Sequence, residues 1–286
     1  MYDYDTLRAL SEIIRRGSFD AAAAQLRLTP SAVSQRIKAL EERLGLVVLH
    51  RGPPVTGTKV GLQLMQHFDQ VQLLEQGLDQ QLRPSGQTAT IRLALNADSL
   101  ATWFPPAMTV LPWRYDLVID DQDHARDWLR RGEVSGAITS SPSPVSGCDV
   151  TPLGAMRYLA LATPAFIARY FPEGVAADAL AAAPAVIFNR KDALQARWAE
   201  IATGRRCRIA GHMVPSSEAF ARTVSLGLGW GMIPEGMAQP DLQPLDPLLP
   251  LDIPLYWQVT RAMSAALAPL TREIRKRAAM ELRPLS

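Results

Sequence analysis

Residues 18–45 read SFDAAAAQLRLTPSAVSQRIKALEERLG, a stretch that predicts two helices joined by a tight turn. Ser18 is a good N-cap for the first helix, whose run of four alanines lets another helix pack closely. Thr29 is an N-cap for the second helix, and Pro30 suits its first position. Gly45 provides a C-terminal stop. This stretch therefore predicts a compact helical hairpin around which the N-terminal part of the chain is built.

The second helix has one apolar face and one polar face. Apolar residues recur at steps of four, three and four and form a stripe suited to burial, namely Val33, Ile37, Leu40 and Leu44. The opposite face carries hydroxyls, an amide and cations, which suit base edges and phosphates in a DNA major groove. The predicted DNA contacts on this helix are Pro30, Ser31, Ser34, Gln35, Arg36 and Lys38. The pattern alone also fits an ordinary helical hairpin with a solvated polar face.

A short apolar run, 46–49, precedes a glycine- and proline-rich turn, and together they predict a two-stranded wing. Arg51 lies in that turn, where it either contacts a DNA phosphate or is a solvated loop cation. A further amphipathic helix is expected over 3–16. We therefore predict an all-α winged helix-turn-helix domain over 1–58. Residues 1–60 hold nine Lys and Arg against six Asp and Glu, a small excess of positive charge.

A long amphipathic helix is predicted over 58–82, followed by a linker at 83–88 that contains Pro, Ser and Gly. Its apolar positions are spaced much like a coiled-coil seam, which predicts a dimerisation helix. The seam residues are Leu64, Phe68, Val71, Leu74 and Leu78. Packing of the same residues onto their own chain is the alternative. Residues 59–88 are expected to form the dimerisation helix and hinge.

Beyond the linker the pattern alternates strands and helices, which predicts an α/β domain with a parallel sheet. Strands are expected at 90–96, 115–120, 136–139, 157–163, 185–188, 208–214 and 253–261. Helices are expected at 100–111, 124–131, 164–170, 191–202, 217–226 and 270–282, the first of them kinked or shortened by two prolines. We predict two similar lobes between which the chain crosses twice. Ligands of such sheets gather at the carboxyl ends of strands and at helix N-termini.

Composition excludes several classes of function. The 286 residues are 48% hydrophobic and 20% charged with a net charge of +2, as in globular proteins without bulk affinity for nucleic acid. The two cysteines lack metal-ligand spacing, the four histidines are scattered, and no catalytic or nucleotide-binding motif occurs. No signal peptide pattern or apolar stretch long enough to span a membrane is present. We expect a cytoplasmic protein with no catalytic residues, no metal and no cofactor.

The segment 17–45 resembles the LysR-type transcriptional regulators, and the resemblance continues along the whole chain. It is strongest to the ArgP/LysG branch, also described as IciA-like. The segments that carry it are 31–43, 96–103, 129–134, 170–175, 216–220 and 232–234. Two departures are Pro105, an added proline, and the shortened segment 111–116.

The resemblance implies a winged helix, a dimerising linker helix and a two-lobed effector domain like a periplasmic binding protein. The effector domain would span 89–286, with lobe 1 at about 89–163 and 263–286 and lobe 2 at about 164–262. Members of the branch sense lysine or arginine and control amino-acid export, as a dimer or a dimer of dimers. The expected partners are double-stranded DNA, a small-molecule effector and RNA polymerase, with no membrane involved. The alternatives are an architectural or replication-linked DNA-binding protein without effector control, and an amino-acid-processing enzyme.

The same resemblance places the effector between the lobes. The implied contacts are Asn96, Asp98, Ser99, Thr102, Thr139, Ser140, Ser216 and Ser217. A basic side chain also needs an anion, which the aspartates after the second strand can supply, namely Asp120, Asp121 and Asp123. The alternative is that the serines are only helix caps and the aspartates only surface charges.

Overall fold

The structure is a computed structural model that describes residues 2–82, 90–121 and 125–285. Within 59–82 the side chains of 73–74 and 76–82 are not part of that description. The predicted linker at 83–88 and Asp123 therefore lie outside the described residues.

The N-terminal domain begins with three helices: α1 (Tyr4–Arg16), α2 (Phe19–Leu26) and α3 (Pro30–Leu44). The predicted caps are present. The Ser18 hydroxyl accepts a hydrogen bond from the Ala21 N–H at 3.4 Å, and the Thr29 hydroxyl accepts one from the Ala32 N–H at 3.2 Å. Gly45 ends α3 in the left-handed region with a φ of 65°, a conformation that glycine adopts at little cost.

The apolar stripe of α3 is buried against α1. The stripe residues Val33, Ile37 and Leu40 are at most 2% exposed. They belong to one core with the buried face of α1, which consists of Leu7, Ala9, Leu10 and Ile13. Burying a large aliphatic side chain contributes about 1.5–3 kcal/mol, so this core supplies the stability that short helices lack alone.

A two-stranded wing follows, as predicted. Strand β1 (Leu49–His50) pairs antiparallel with β2 (Thr56–Gly57). The next helix, α4 (Lys59–Leu82), begins directly after the wing, and the Thr58 hydroxyl caps it by accepting from the Gly61 N–H at 3.2 Å. The wing therefore leads directly into the long helix.

The first part of the α4 seam packs on its own chain. Leu64 is 7% exposed and Phe68 4% exposed, and both belong to the core of the N-terminal domain. Val71 is half-buried, whereas the side chains of Leu74 and Leu78 are not described. The alternative of packing within the chain thus applies to Leu64 and Phe68. Dimerisation stays a prediction that Val71, Leu74 and Leu78 would have to carry.

The C-terminal domain alternates strands and helices. Its strands are β3 (Thr90–Leu95), β4 (Arg114–Ile119), β5 (Gly136–Thr139), β6 (Cys148–Ala162), β7 (Ala185–Ile187), β8 (Gly211–Met213), β9 (Gly231–Pro234), β10 (Gln243–Pro244) and β11 (Leu251–Thr260). Its α-helices are α5 (Ala97–Ala101), α6 (Ala125–Arg130), α7 (Pro164–Tyr170), α8 (Ala177–Ala182), α9 (Leu194–Thr203), α10 (Ser217–Ser225), α11 (Arg261–Ser264) and α12 (Ala268–Glu281).

Two long strands connect two lobes. In lobe 1, β3 lies between β4 and β5 in parallel, and β5 pairs with the end of β11. In lobe 2, β7 and β8 are parallel, while β9 and β10 pair with the last part of β6. Strands β6 and β11 run antiparallel from Cys148 opposite Thr260 to Tyr158 opposite Leu251. The chain therefore crosses between the lobes twice, once on each of these strands.

Several elements differ from the sequence prediction: α8, β10 and α11 were not predicted, the sheet is mixed rather than parallel, and the bounds of one helix and one strand change markedly. The helix expected at 100–111 is split into the short α5 and a 3-10 helix at Pro105–Thr109, because the two prolines lack the N–H that a continuous α-helix needs. Strand β6 begins nine residues before the predicted 157. Pro and Gly are uncommon inside strands, so Pro152 and Gly154 gave no indication of a strand in this part of the sequence. They lie opposite a register shift between Leu255 and Tyr256 of β11.

Substitution of a glycine in α4 tests how the wing packs on the long helix. A Cβ at Gly61 would overlap the backbone oxygen of Val48, next to β1. We expect Gly61→Ala to lower the free energy of unfolding by about 1–3 kcal/mol, because backbone must shift, although alanine normally favours a helix. Gly52→Ala, in open space, is the control and should change stability little. Urea unfolding followed by circular dichroism measures both, and an unchanged or more stable Gly61→Ala protein would contradict this packing.

Candidate functional site

The polar face of α3 is open to solvent. Pro30, Ser31, Gln35 and Lys38 are exposed, whereas Ser34 and Arg36 are half-buried. Lys38 Nζ lies 3.7 Å from a carboxylate oxygen of Glu42, one turn later on the same face. The six predicted DNA contacts of this helix therefore remain accessible, at least in part, to a DNA groove.

Glu41 joins α3 to the wing, a role that the sequence analysis missed. One of its oxygens accepts from the Val48 N–H at 2.9 Å, and the other lies 3.1 Å from Arg51 Nη2. The Arg51 side chain is still 57% exposed. Glu41 thus orients the wing arginine relative to α3 while leaving its guanidinium accessible. The sequence offered little signal for this, because the two residues are ten positions apart.

A cavity of about 510 Å³ lies between the two lobes. Five predicted effector contacts line it, namely Asn96, Asp98, Asp120, Asp121 and Ser217. The sequence analysis missed the other lining residues that carry polar groups: Tyr158, Asn189, Arg190, Lys191 and Asp192. Apolar walls come from Ile119, Phe188, Leu194, Phe220, Met232 and Ile233. Its size and mixed lining suit a small polar ligand.

Asp98 is a carboxylate of the cavity whose two oxygens both accept hydrogen bonds from hydroxyl groups. The Ser217 hydroxyl donates to one of its oxygens at 2.6 Å, and the Tyr158 hydroxyl donates to the other at 2.7 Å. Burial raises the pKa of Asp98, and the two hydrogen bonds oppose that rise. Burial, together with Asp98, also raises the pKa of Tyr158 well above its ordinary value. This cluster connects α5 of lobe 1, strand β6 and α10 of lobe 2.

Asn96 presents a second acceptor beside Asp98. Asn96 is 4% exposed, and its Oδ1 is buried with no hydrogen-bond partner in the described part of the chain. A buried acceptor without a donor is costly, and Asn96 is part of the cavity lining.

Asp120 lies at another side of the cavity and is held by three donors. Trp128 Nε1–H donates to one oxygen at 2.9 Å. The Asp121 N–H at 2.9 Å and Lys191 Nζ at 2.8 Å donate to the other. Burial tends to raise the pKa of Asp120, but the three hydrogen bonds and the positive charge of Lys191 together hold the pKa below its ordinary value.

The remaining predicted effector residues do not line this cavity. Ser99 and Thr139 are fully buried, and the Thr139 hydroxyl accepts from Gln258 Nε2 at 3.1 Å. The Thr102 hydroxyl donates to the Asp98 carbonyl at 2.6 Å, and the Ser216 hydroxyl caps α10. Ser140 is half-buried. An effector contact by any of these five residues stays a prediction.

Two family models match successive parts of the chain. The model described as "Bacterial regulatory helix-turn-helix protein, lysR family" matches residues 4–62. The model described as "LysR substrate binding domain" matches residues 84–279. The chain belongs to the LysR family. It is a LysR-type transcriptional regulator with a DNA-binding helix-turn-helix domain and a two-lobed α/β effector domain, as the sequence predicted.

Three relatives show which members of the family are similar. The "Lysine export transcriptional regulatory protein LysG" of Corynebacterium glutamicum is 42% identical over 292 residues, which cover 97% of this chain and 98% of that protein. The crystal structure of ArgP from Mycobacterium tuberculosis is 39% identical and covers both chains fully, with a TM-score of 0.86. Full-length LysG from C. glutamicum with bound effector Arg is also 39% identical, covering 99% of this chain and 100% of that one, with a TM-score of 0.75.

These matches confirm the predicted resemblance to the ArgP and LysG regulators, and the matched relatives are regulators rather than enzymes. Within the described residues, no group of His, Cys, Asp or Glu is arranged to hold a metal ion. In that same part of the chain, no helix combines the length and the apolar character needed to cross a membrane.

Because Asp98 is buried, its replacement by the isosteric Asn should change the stability of the fold by an amount that depends on pH. Because the pKa of Asp98 is raised by burial, the folded state binds the proton more tightly than the unfolded chain does. The charged carboxylate therefore costs stability once the pH rises above its unfolded pKa. The urea midpoint of Asp98→Asn, relative to that of the original protein, should therefore increase as the pH is raised from about 4 to about 8.

Asp178→Asn is the matched control for this measurement, because Asp178 in α8 has a 98% exposed side chain. It should show no such pH-dependent gain. If the difference in stability between Asp98→Asn and the original protein is the same at pH about 4 and about 8, burial does not raise the pKa of Asp98.

Proposed function

We propose that this regulator senses a cationic amino acid, lysine or arginine, between the lobes and controls a gene for amino-acid export. The observation that carries the proposal is the excess of negative charge in the cavity. Among the described lining residues, Asp98, Asp120, Asp121 and Asp192 carry carboxylates, and Arg190 and Lys191 carry cationic side chains. A ligand with an additional positive charge would balance this excess.

The two acidic positions suit the two cationic groups of such a ligand. A carboxylate has about four lone-pair sites, so Asp98 can accept from an α-ammonium while Ser217 and Tyr158 stay bound. The unfilled Asn96 Oδ1 is an additional acceptor for the same ammonium. Asp120 would then receive the side-chain ammonium or guanidinium. The bound Arg in LysG of C. glutamicum, and the name of that lysine-export regulator, favour the same ligand class.

Binding would act on DNA through the dimer. The ligand would stabilise one relative position of the two lobes, and a homodimer or dimer of dimers would convert this into a spacing of two α3 helices on DNA half-sites. Dimerisation would use the part of α4 beyond Phe68. RNA polymerase is the proposed downstream partner. The proposed domains are 1–58, 59–88 and 89–286, with the lobe boundaries predicted from the sequence.

The ligand class is tested by calorimetric titration of the full chain with the twenty amino acids. Lysine or arginine should bind, and Asp120→Asn should weaken that binding by about tenfold or more, because a charge-assisted hydrogen bond contributes about 1.5–3 kcal/mol. Asp178→Asn is the control and should bind normally. Binding of neutral amino acids with no binding of lysine or arginine would contradict the proposal.

The DNA contacts are tested with a duplex that the original protein selects from a pool of random sequences, and with single-base variants of that duplex. Arg36→Ala should weaken binding about equally for all sequence variants and reduce the salt slope by about one, as expected for a phosphate contact. Gln35→Ala should lose discrimination at one base pair, worth about 1–3 kcal/mol. Arg275→Ala, on an exposed position of α12, is the control. If Arg36→Ala and Gln35→Ala change only the overall affinity, the separate roles are wrong.

A further inference from the structure

Lys191 reaches across the cavity to the carboxylate that the proposed ligand would need. It belongs to the loop between β7 and α9 of lobe 2, whereas Asp120 follows β4 of lobe 1. Lys191 Nζ lies 2.8 Å from Asp120 Oδ1. The Asp120 side chain is 16% exposed and that of Lys191 is 51% exposed, so the ammonium reaches from a partly solvated position to a carboxylate in the cavity wall.

The loop that carries Lys191 is fixed by its own hydrogen bonds. Asn189 Oδ1 accepts from the backbone N–H of Lys191 at 2.7 Å and from that of Asp192 at 3.2 Å. Asp192 in turn accepts from the N–H groups of Phe188 at 2.9 Å and Leu194 at 3.0 Å. The backbone of Lys191 is therefore positioned without help from its side chain. Its four-carbon side chain can leave Asp120 while the loop stays in place.

Asp120 has limited capacity for a second cation. Its Oδ2 accepts from Trp128, and its Oδ1 already accepts from both the Asp121 N–H and Lys191. A carboxylate offers about four lone-pair sites, and a guanidinium binding in bidentate fashion uses one on each oxygen. A ligand cation and the Lys191 ammonium would therefore compete for the same side of Asp120.

We infer that Lys191 is an internal competitor of the effector: its ammonium occupies the cation position at Asp120 until a basic amino acid displaces it. This inference rests on the proposed function. The side chain of Lys191 carries the same primary ammonium as the side chain of free lysine, so it is a direct stand-in for that ligand. Each binding event must first break the Asp120–Lys191 ion pair, which raises the concentration of effector needed to fill the cavity.

The test is calorimetric titration of the full-length Lys191→Gln protein with L-arginine and with L-lysine. The backbone hydrogen bonds of the loop do not involve the side chain of Lys191, so the substitution leaves the loop intact. We expect Kd to fall about two- to fivefold relative to the original protein, the range that corresponds to a partly exposed ion pair. Lys276→Gln, which removes a lysine at an exposed position of α12, is the matched control and should leave Kd unchanged.

The outcomes separate this inference from the proposed function. If the original protein binds arginine or lysine and Lys191→Gln binds equally or more weakly, Lys191 is no competitor, although the cavity is a basic amino-acid site. If neither protein binds them, both the inference and the proposed function are overturned. Binding of arginine or lysine by the Lys191→Gln protein, but not by the original protein, would support the role of Lys191 as a competitor.

A spectroscopic readout distinguishes competition from a general structural effect. The Trp128 indole N–H donates to Asp120, so its ¹⁵N-labelled resonance reports on that carboxylate. It should shift on Lys191→Gln without ligand, and shift in the original protein when arginine is added. An indole resonance that responds to neither change would overturn the competitor role.

Discussion

The carboxylate of Asp98 is the constraint on which the arrangement of the two lobes depends. Both of its oxygens accept hydrogen bonds, one from Ser217 at the start of α10 and one from Tyr158 on the crossing strand β6. A buried charge that loses its donors costs several kcal/mol. The lobes can therefore separate at this point only if water or a ligand replaces the lost hydrogen bonds. This places a charged, hydrogen-bonded group where a ligand between the lobes would bind.

Local sequence signals predicted the elements that depend on local chemistry. The caps at Ser18, Thr29 and Gly45 set the helix-turn-helix boundaries, and the structure has helices at those boundaries. Elements that depend on distant pairing were predicted less well. Strand β6 extends through Pro152 and Gly154 because β11 pairs along it, and nothing within the segment itself indicates that partner. The seam of α4 likewise could not show that Leu64 and Phe68 pack on the N-terminal core.

The same limit applies to the cavity. Asp98 and Asp120 follow strands of lobe 1, where the rule about carboxyl ends of strands locates ligands. The polar loop with Lys191 follows β7 of lobe 2 in the same way, so that rule could have found it. The ion pair between Lys191 and Asp120 spans 71 positions of sequence and needed the folded chain. Of the two serines predicted at the start of α10, Ser216 caps the helix and Ser217 lines the cavity.

The protein combines a helix-turn-helix domain, whose helix α3 has an exposed polar face, with a cavity between two lobes that four aspartates line. The central claim is that the cavity binds a basic amino acid through Asp98 and Asp120. The most direct measurement is a crystal structure of the full-length chain grown with L-arginine. The account predicts arginine between the lobes, with its guanidinium on Asp120 and its α-ammonium beside Asp98 and Asn96. Arginine bound outside this cavity, or with its guanidinium away from both aspartates, would contradict it.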